Sequence, residues 1–214
     1  FFNKNNTLDI HAMRDQISLI KNLESHGIAC LGLATEVNKL NFLEKKKIIE
    51  LVADIINNKF PLVVTISGKS INEYKKLIEV AEFYNTSWIV FQPLLKKKTT
   101  DKDCFNFFKK IIEYVDTKTL VGVQNAKEYI NVGLSYKQVL KLYKKFNNFR
   151  AIKSEASAIL IGKEIKNYPR DLKVFNGRGG QEIIDNFNVG CSGIIPSLEG
   201  TDIFIKIYEL IKKK

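Results

Sequence analysis

Short apolar runs recur along the chain, separated by longer stretches in which apolar and polar residues alternate with a helical period. The runs fall at residues 28–34, 62–66, 88–91, 120–123, 149–152, 172–175 and 193–195. Each has the length of a strand and is rich in β-branched or aromatic residues. Between them, residues 44–56 carry Ile48, Ile49, Leu51, Val52, Ile55 and Ile56 as one wide stripe, with lysines and Glu50 opposite. That spacing predicts an amphipathic helix. Residues 71–83, 105–114 and 136–146 read the same way, and Ser135 is placed to cap the last of them.

Repeated strand–helix alternation implies a parallel sheet with helical crossovers. An open doubly wound sheet and a closed barrel both satisfy it. No GxGxxG or GxxxxGK[ST] follows any of the runs, so the phosphate-cradling glycine signatures are absent. Units of about 25–30 residues without a break in composition favour a (β/α)₈ TIM barrel, residues 1–214 forming one domain. Such a barrel needs eight strands and about 250 residues. Seven are legible here, so strand 1 is expected to be missing at the N-terminus and helical material at the C-terminus. The chain starts at Phe1 rather than Met and stops at Lys212, Lys213 and Lys214 within a helix-like stretch, which fits that expectation.

Composition narrows the classes. With 45% hydrophobic and 27% charged residues, the chain reads as globular. It has no apolar run of the roughly 20 residues that span a bilayer, and no signal peptide is visible. Cys30, Cys104 and Cys191 are widely separated and lack CxxC spacing, so neither a disulfide framework nor a metal site is expected. Reduced thiols point to the cytoplasm. The net charge of +11 is almost all lysine, with Arg14, Arg150, Arg170 and Arg178 as the arginines. The lysines cluster in helical stretches and do not alternate with aromatics. A solvated lysine surface is therefore expected, with neither nucleic acid nor membrane as partner.

In barrels of this kind, residues at the C-terminal ends of strands carry the chemistry. The residues so placed are Thr35 and Glu36, Ser67 and Gly68, Gln92 and Pro93, Gln124 and Asn125, Lys153 and Glu155, 176–180, and Pro196 and Ser197. Lys153 follows Ala151-Ile152 on a central run. Burial disfavours an ammonium, and a neutral amine is a nucleophile for carbonyls. A lysine snorkelling from a strand end to solvent accounts for the pattern equally well.

Several segments resemble one family. Gly32-Leu33-Ala34-Thr35-Glu36, with Leu40 and Glu44 after it, is similar to the GTTGE…L…E signature of the dihydrodipicolinate synthase / N-acetylneuraminate lyase family. Gln124-Asn125 followed by Gly133-Leu134-Ser135 resembles its YN-P…LS segment. Ala151-Ile152-Lys153 resembles its IK strand. Residues 174–177 and 190–195 resemble its last two strands, and Phe2 and Asp9 fit the segment after its first strand. The resemblance covers the whole chain in order. It implies a (β/α)₈ barrel with a C-terminal helical extension, beginning before Phe2 and continuing past Lys214. It also implies that Lys153 forms a Schiff base with a 2-oxo acid, with no metal or organic cofactor, and that the protein is a homo-oligomer, a tetramer or dimer. The loop Ala34-Thr35-Glu36 is then expected to bind the substrate carboxylate, with Glu36 orienting backbone amides or capping a helix.

The departures bear on the reaction. Gln124 stands where the family has a proton-shuttling tyrosine, and glutamine does not titrate. Leu33 and Ala34 replace a Thr-Thr pair, and Tyr129 replaces an arginine found in members with a dicarboxylic product. Glu155 is the candidate substitute for the lost shuttle, because positions i and i+2 of a strand share a face; a structural ion pair with Lys153 is the alternative. Asn125 is expected to bond a substrate oxygen or to stabilise a turn. Gly177 permits close approach, and Arg178 is placed to take a carboxylate or to serve as a loop arginine. Relatives with Gln-Asn and Lys-x-Glu resemble 2-keto-3-deoxy sugar-acid dehydratases and aldolases, which is the leading reading. A 4-hydroxy-tetrahydrodipicolinate synthase with an altered relay and a non-catalytic barrel that binds a 2-oxo acid are the alternatives.

Overall fold

In the computed structural model, residues 1–213 are described; Lys214, expected within the last helix, lies outside them. Seven parallel strands form one sheet in strict chain order: β1 (Ile28–Cys30), β2 (Leu62–Ile66), β3 (Trp88–Phe91), β4 (Leu120–Asn125), β5 (Phe149–Ser154), β6 (Lys173–Gly179) and β7 (Gly193–Pro196). Among the described residues, nine helices cover it: α1 (Ile10–Asn22), α2 (Phe42–Ile56), α3 (Ile71–Phe83), α4 (Asp101–Ile112), α5 (Lys127–Ile130), α6 (Tyr136–Lys145), α7 (Ala158–Ile165), α8 (Ile183–Asn188) and α9 (Thr201–Lys212). This is a nearly closed (β/α) barrel with seven strands. β1 and β7 are its two edges.

Helix starts are fixed by side chains that satisfy the free amides of the first turn. Asn41 with Glu44, Thr100 with Asp103 and Ser135 with Gln138 form reciprocal capping boxes at α2, α4 and α6. The Thr100 box places α4 four residues earlier than its apolar stripe suggests. The first apolar run is also shorter than its composition predicts. The strand ends at Cys30 because Leu31 takes a left-handed φ of 60°, and residues 33–39 coil into two 3₁₀ turns.

The central strands β2 to β5 are buried on both faces, which explains their continuous apolar character. Residues facing outward, such as Val64, Ile66, Ile89, Phe91, Val121, Val123, Phe149 and Ile152, pack under the helices in one large core. A second, smaller cluster fills the barrel interior: Trp88, Val90 and Ala151, with Val63, Phe175 and Ile195 against them. The Trp88 and Phe175 rings lie 5.0 Å apart. Gly122 makes room for them, since a Cβ there would sit 2.7 Å from Trp88 Nε1.

One lysine departs from the expected solvated surface. Lys45, on the polar side of the α2 pattern, is buried, and its ammonium donates to Glu73 Oε1 at 2.9 Å and to the Ser67 carbonyl at 3.0 Å. The pair ties α2 to α3 and to the exit of β2. Burial works against ionisation of Glu73, but the Lys69 amide and the Lys45 ammonium outweigh it and hold the carboxyl below its ordinary range.

A cavity of about 560 Å³ extends from the gap between the sheet edges across the barrel interior at the N-terminal ends of the strands, lined by Ile28, Ala29, Trp88, Phe175, Phe204 and Tyr208 among others. Lys153, Glu155 and Gln124 do not line it. Among the described residues no helix is long and apolar enough to cross a membrane.

Candidate active site

The candidate chemistry sits inside the barrel at the C-terminal ends of β3, β4 and β5. Gln124 and Lys153 are register partners across β4 and β5, so their side chains leave the sheet on the same face. The Glu155 amide donates to the Asn125 carbonyl at 3.0 Å, which carries the ladder one step past β5. Glu155 thereby returns to the face of Lys153, two residues before it. All three side chains are removed from solvent: Lys153 is 6% exposed, Glu155 5% and Gln124 2%.

The polar atoms form one connected chain. Lys153 Nζ lies 3.1 Å from Glu155 Oε1. Gln124 Nε2 donates to the same Oε1 at 2.5 Å. Gln92 Nε2, from the end of β3, donates to Gln124 Oε1 at 3.0 Å. Gln92 is 7% exposed, and its carbonyl accepts the buried Tyr74 hydroxyl at 2.9 Å. The array spans three strands and rests on the apolar floor of Trp88 and Phe175, the latter paired in register with Lys153.

Two glycines set the space around the amine. A Cβ on Gly32, in the loop after β1, would begin 3.5 Å from Lys153 Nζ. That brings the start of the loop, at Gly32, against the amine. On the other side a Cβ at Gly177 would overlap Glu155 Oε1 and sit 2.6 Å from Lys153 Cε. Only hydrogen fits there.

The other candidate residues lie further out. Ala34, Thr35 and Glu36 are exposed on the rim. The Thr35 hydroxyl donates to the Gly32 carbonyl at 2.7 Å. Glu36, in a left-handed conformation, pairs with Lys39 at 2.6 Å and makes no side-chain capping bond. Asn125 is engaged in the loop: its Nδ2 donates to the Leu134 carbonyl at 3.0 Å, and its Oδ1 accepts the Leu134 amide at 2.9 Å. Of its two expected roles, this geometry matches the turn. Its neighbour Gln124 takes the inward face, so alternation turns Asn125 away from the amine. Arg178 Nη1 donates to Glu182 Oε2 at 3.0 Å, and its Nε is buried with no partner among the described residues. Tyr129 stands beside it. The phenol, together with the carboxylates of Glu182 and Glu128, raises the proton affinity of the guanidinium against the opposing effect of burial.

Gln92, one of the strand-end candidates but without a specific role from the sequence, belongs to the array. The available signal was its position directly after the apolar run 88–91, as Gln124 directly follows the run 120–123. Gly32 was legible only as part of a loop motif. No group of three or more His, Cys, Asp or Glu side chains able to hold a metal ion occurs among the described residues. Burial pushes the thiols of Cys30 and Cys104 up to about 12 and that of Cys191 to about 11.

The model of the dihydrodipicolinate synthetase family matches residues 1–202. A 4-hydroxy-tetrahydrodipicolinate synthase from Azobacteroides pseudotrichonymphae genomovar. CFP2 is 25% identical over 166 residues, covering 77% of this chain and 55% of that protein. A protein of Escherichia coli K12 named probable 2-dehydro-3-deoxy-D-pentonate aldolase YjhH is 22% identical over 158 residues, covering 74% of this chain and 52% of its own. The crystal structure of YagE from E. coli K12, a prophage protein of the dihydrodipicolinic acid synthase family in complex with pyruvate, aligns with a TM-score of 0.91 at 18% identity. It covers 99% of this chain and 72% of that one, and the likeness is one of fold. The chain spans little more than half the length of the curated relatives it matches. With the family's model covering residues 1–202 of a parallel (β/α) barrel, the chain belongs to the dihydrodipicolinate synthetase family.

Proposed function

We propose that this chain carries a class I lyase site in which Lys153 forms a Schiff base with a 2-oxo acid, either pyruvate-type or a 2-keto-3-deoxy sugar acid. The observation that carries the reading is the buried amine of Lys153, whose one charged partner among the described residues is Glu155 at 3.1 Å. An amine held away from water next to a carboxylate can pass it a proton and become a nucleophile.

The steps follow from these two groups and Gln124. The Lys153 ammonium gives a proton to Glu155, and the freed amine adds to C2 of the keto acid. The resulting carbinolamine takes the proton back from Glu155 and loses water, leaving a protonated imine on Nζ. That imine draws electrons from the neighbouring carbon. Glu155, again a carboxylate, removes a proton from C3, or from a C4 hydroxyl as the C3–C4 bond breaks, and the electron pair settles on nitrogen as an enamine. Gln124 stays neutral throughout and can only donate or accept hydrogen bonds. The loop after β1, whose Gly32 faces the amine, is the element placed to receive the substrate carboxylate, although the Thr35 and Glu36 amides already donate to the Gly32 and Leu33 carbonyls. Resting Lys153 and Glu155 form an ion pair, so substrate entry must separate them.

The sugar-acid reading is supported by the Gln124 and Lys153-x-Glu155 arrangement and by the name of the E. coli aldolase relative. The name of the A. pseudotrichonymphae relative supports the second reading, condensation of pyruvate with aspartate semialdehyde. Incubation with pyruvate and borohydride, followed by intact mass, tests the chemistry. The expected result is one pyruvate-derived adduct, lost in Lys153→Ala. A protein that gains no adduct, or a Lys153→Ala variant that keeps it, defeats the Schiff base and leaves a non-catalytic barrel. Turnover of aspartate semialdehyde with pyruvate selects the second reading. Conversion of a 3-deoxy-2-keto acid without added pyruvate selects the first.

A further inference from the structure

We propose that Gln92 is a positioning residue that sets the proton inventory of the Lys153–Glu155 pair by fixing which end of the Gln124 amide faces Glu155. The proposal rests on the Schiff-base reading above.

The argument is one of donors and acceptors. An amide presents NH₂ at one end and a carbonyl at the other, and nothing in Gln124 itself selects which end meets Glu155. The Gln92 NH₂ donates to Gln124 Oε1 at 3.0 Å. The Gln124 carbonyl is thereby committed to Gln92, and its NH₂ must point to Glu155 Oε1. An NH₂ group requires an acceptor, so this orientation favours the ionised carboxylate. With the amide reversed, the Gln124 carbonyl would face Glu155 and favour its protonated form, which alone can donate. In a buried array of this kind each bond matters more than it would in water.

The Gln92 backbone is itself held. Its backbone amide bonds the Ile66 carbonyl at 3.0 Å, and its backbone carbonyl accepts the Tyr74 hydroxyl. Tyr74 is fully buried, and its ring packs 4.9 Å from that of Phe107. The array is therefore anchored in the outer core at the β3 end and terminates on the nucleophile at the β5 end. The groups facing the Lys153–Glu155 pair from other elements are neutral: Gln124 from β4, Gly177 from β6 and Gly32 from the loop after β1. Lys153 is the one charged group within ion-pair distance of Glu155 among the described residues.

Solvent-deuterium exchange at C3 of pyruvate, followed by NMR as a function of pH, reads the availability of the Glu155 base. The comparison is between the parent protein, Gln92→Met, Gln124→Met and the double variant. Met is close in length to Gln and removes the donor. The ascending acid limb of the exchange profile is expected to move up by about one pH unit in Gln92→Met, because the freed Gln124 amide then accommodates a protonated Glu155. The same change on the Gln124→Met background is expected to move nothing further, since Gln92 acts through Gln124. An unshifted Gln92→Met profile overturns the proposal. So does a loss of exchange by the same factor at every pH, or a Gln92→Met shift that persists in full without Gln124. Should Gln92→Met not fold, Gln92→Leu carries the same comparison. Borohydride trapping separates the two levels: a parent protein that traps no pyruvate defeats the Schiff-base reading itself, whereas a trapping parent with unshifted variants defeats only the role of Gln92.

Discussion

Gly177 stands against Lys153 so closely that a methyl group at 177 would lie 2.6 Å from Lys153 Cε. The glycine is set by β6, the lysine by β5, and the two meet inside the barrel where Lys153 pairs in register with Phe175. Gly177→Ala is therefore expected to push the Lys153 stem out of its place and to cost about 1–3 kcal/mol of stability through overpacking. Pyruvate trapping should slow by at least about tenfold, as follows when a reacting atom is misplaced by an ångström. Trapping rates and urea midpoints measured side by side check both effects. Trapping at the parent rate would mean that the stem and the Glu155 carboxyl yield without disturbing the amine.

The buried pair itself makes a prediction that does not depend on chemistry. Lys153 and Glu155 are 7% and 6% exposed at their side chains. Removing one partner leaves the other charge stranded, at a cost of about 3–5 kcal/mol. Lys153→Met should therefore destabilise the protein by about that amount, and Lys153→Met/Glu155→Gln should recover most of it. Urea unfolding of the four species of the cycle measures the coupling. A double variant as unstable as the sum of the singles would contradict a direct pairing.

What the sequence made legible follows from the range of each interaction. Strand–helix alternation, the cap at Ser135 and the strand that bears Lys153 are local patterns, and they appear in the fold at or near the expected residues. The polar face of residues 44–56 misled for Lys45, because the partner that draws it inward, Glu73, comes 28 residues later. A helical stripe describes an isolated helix and carries no information about a carboxylate on the next one. The same limit hid the partner of Gln92, a strand-end candidate whose significance lies in reaching Gln124 across 32 positions. The early end of β1 depends on Leu31 adopting a left-handed conformation that no residue type there advertises. Asn125 shows the converse: its turn role was legible as one of two alternatives, and the contacts that match it come from Leu134, only nine residues on.

The Lys45–Glu73 pair predicts acid sensitivity. The Glu73 carboxyl is held below its ordinary range in the folded protein. A depressed carboxyl contributes stability that is fully present above the unfolded value near ~4.3 and is lost as pH falls through the folded value. Urea midpoints should therefore drop from pH ~5 downwards, and Glu73→Gln should be less stable at pH 7 yet show a shallower fall. Equal slopes for both proteins would locate the acid response elsewhere, with Asp101 the next carboxyl to examine, since Lys127 and the Gly133 amide lower it.

The thiols predict chemical inertness with an alkaline limit. Cys30 and Cys104, pushed up to about 12, are thiolate in about one molecule per ten thousand at pH 8. Iodoacetamide should label none of the three cysteines in the folded protein within hours and all three in urea, read by intact mass. Their folded values lie above the unfolded one of about 8.5, so the stability they contribute is present below that pH and declines above it. Rapid labelling of Cys30 without denaturant would show that β1 opens locally.

The open side of the sheet carries the last expectation. β1 and β7 each have one neighbour, so each leaves a row of backbone donors and acceptors unpaired, and between them lies the apolar cavity bounded by Phe204 and Tyr208. Unpaired edges template association with any other extended chain, and exposed apolar surface adds to the drive. The 214-residue chain studied alone should therefore bind a hydrophobic dye and show a mass that rises with concentration in light scattering. Ala29 is exposed on β1 and lines the cavity, so Ala29→Lys places a charge on the edge at small cost to the core. That substitution should reduce both the dye signal and the association while leaving the melting temperature nearly unchanged. Association that persists undiminished in Ala29→Lys would place the contact on another surface, with the exposed apolar side chains of Leu43, Phe83 and Ile159 on the helices as the alternative. A mass independent of concentration would mean that α9 and the α1–β1 connection already shield the two edges.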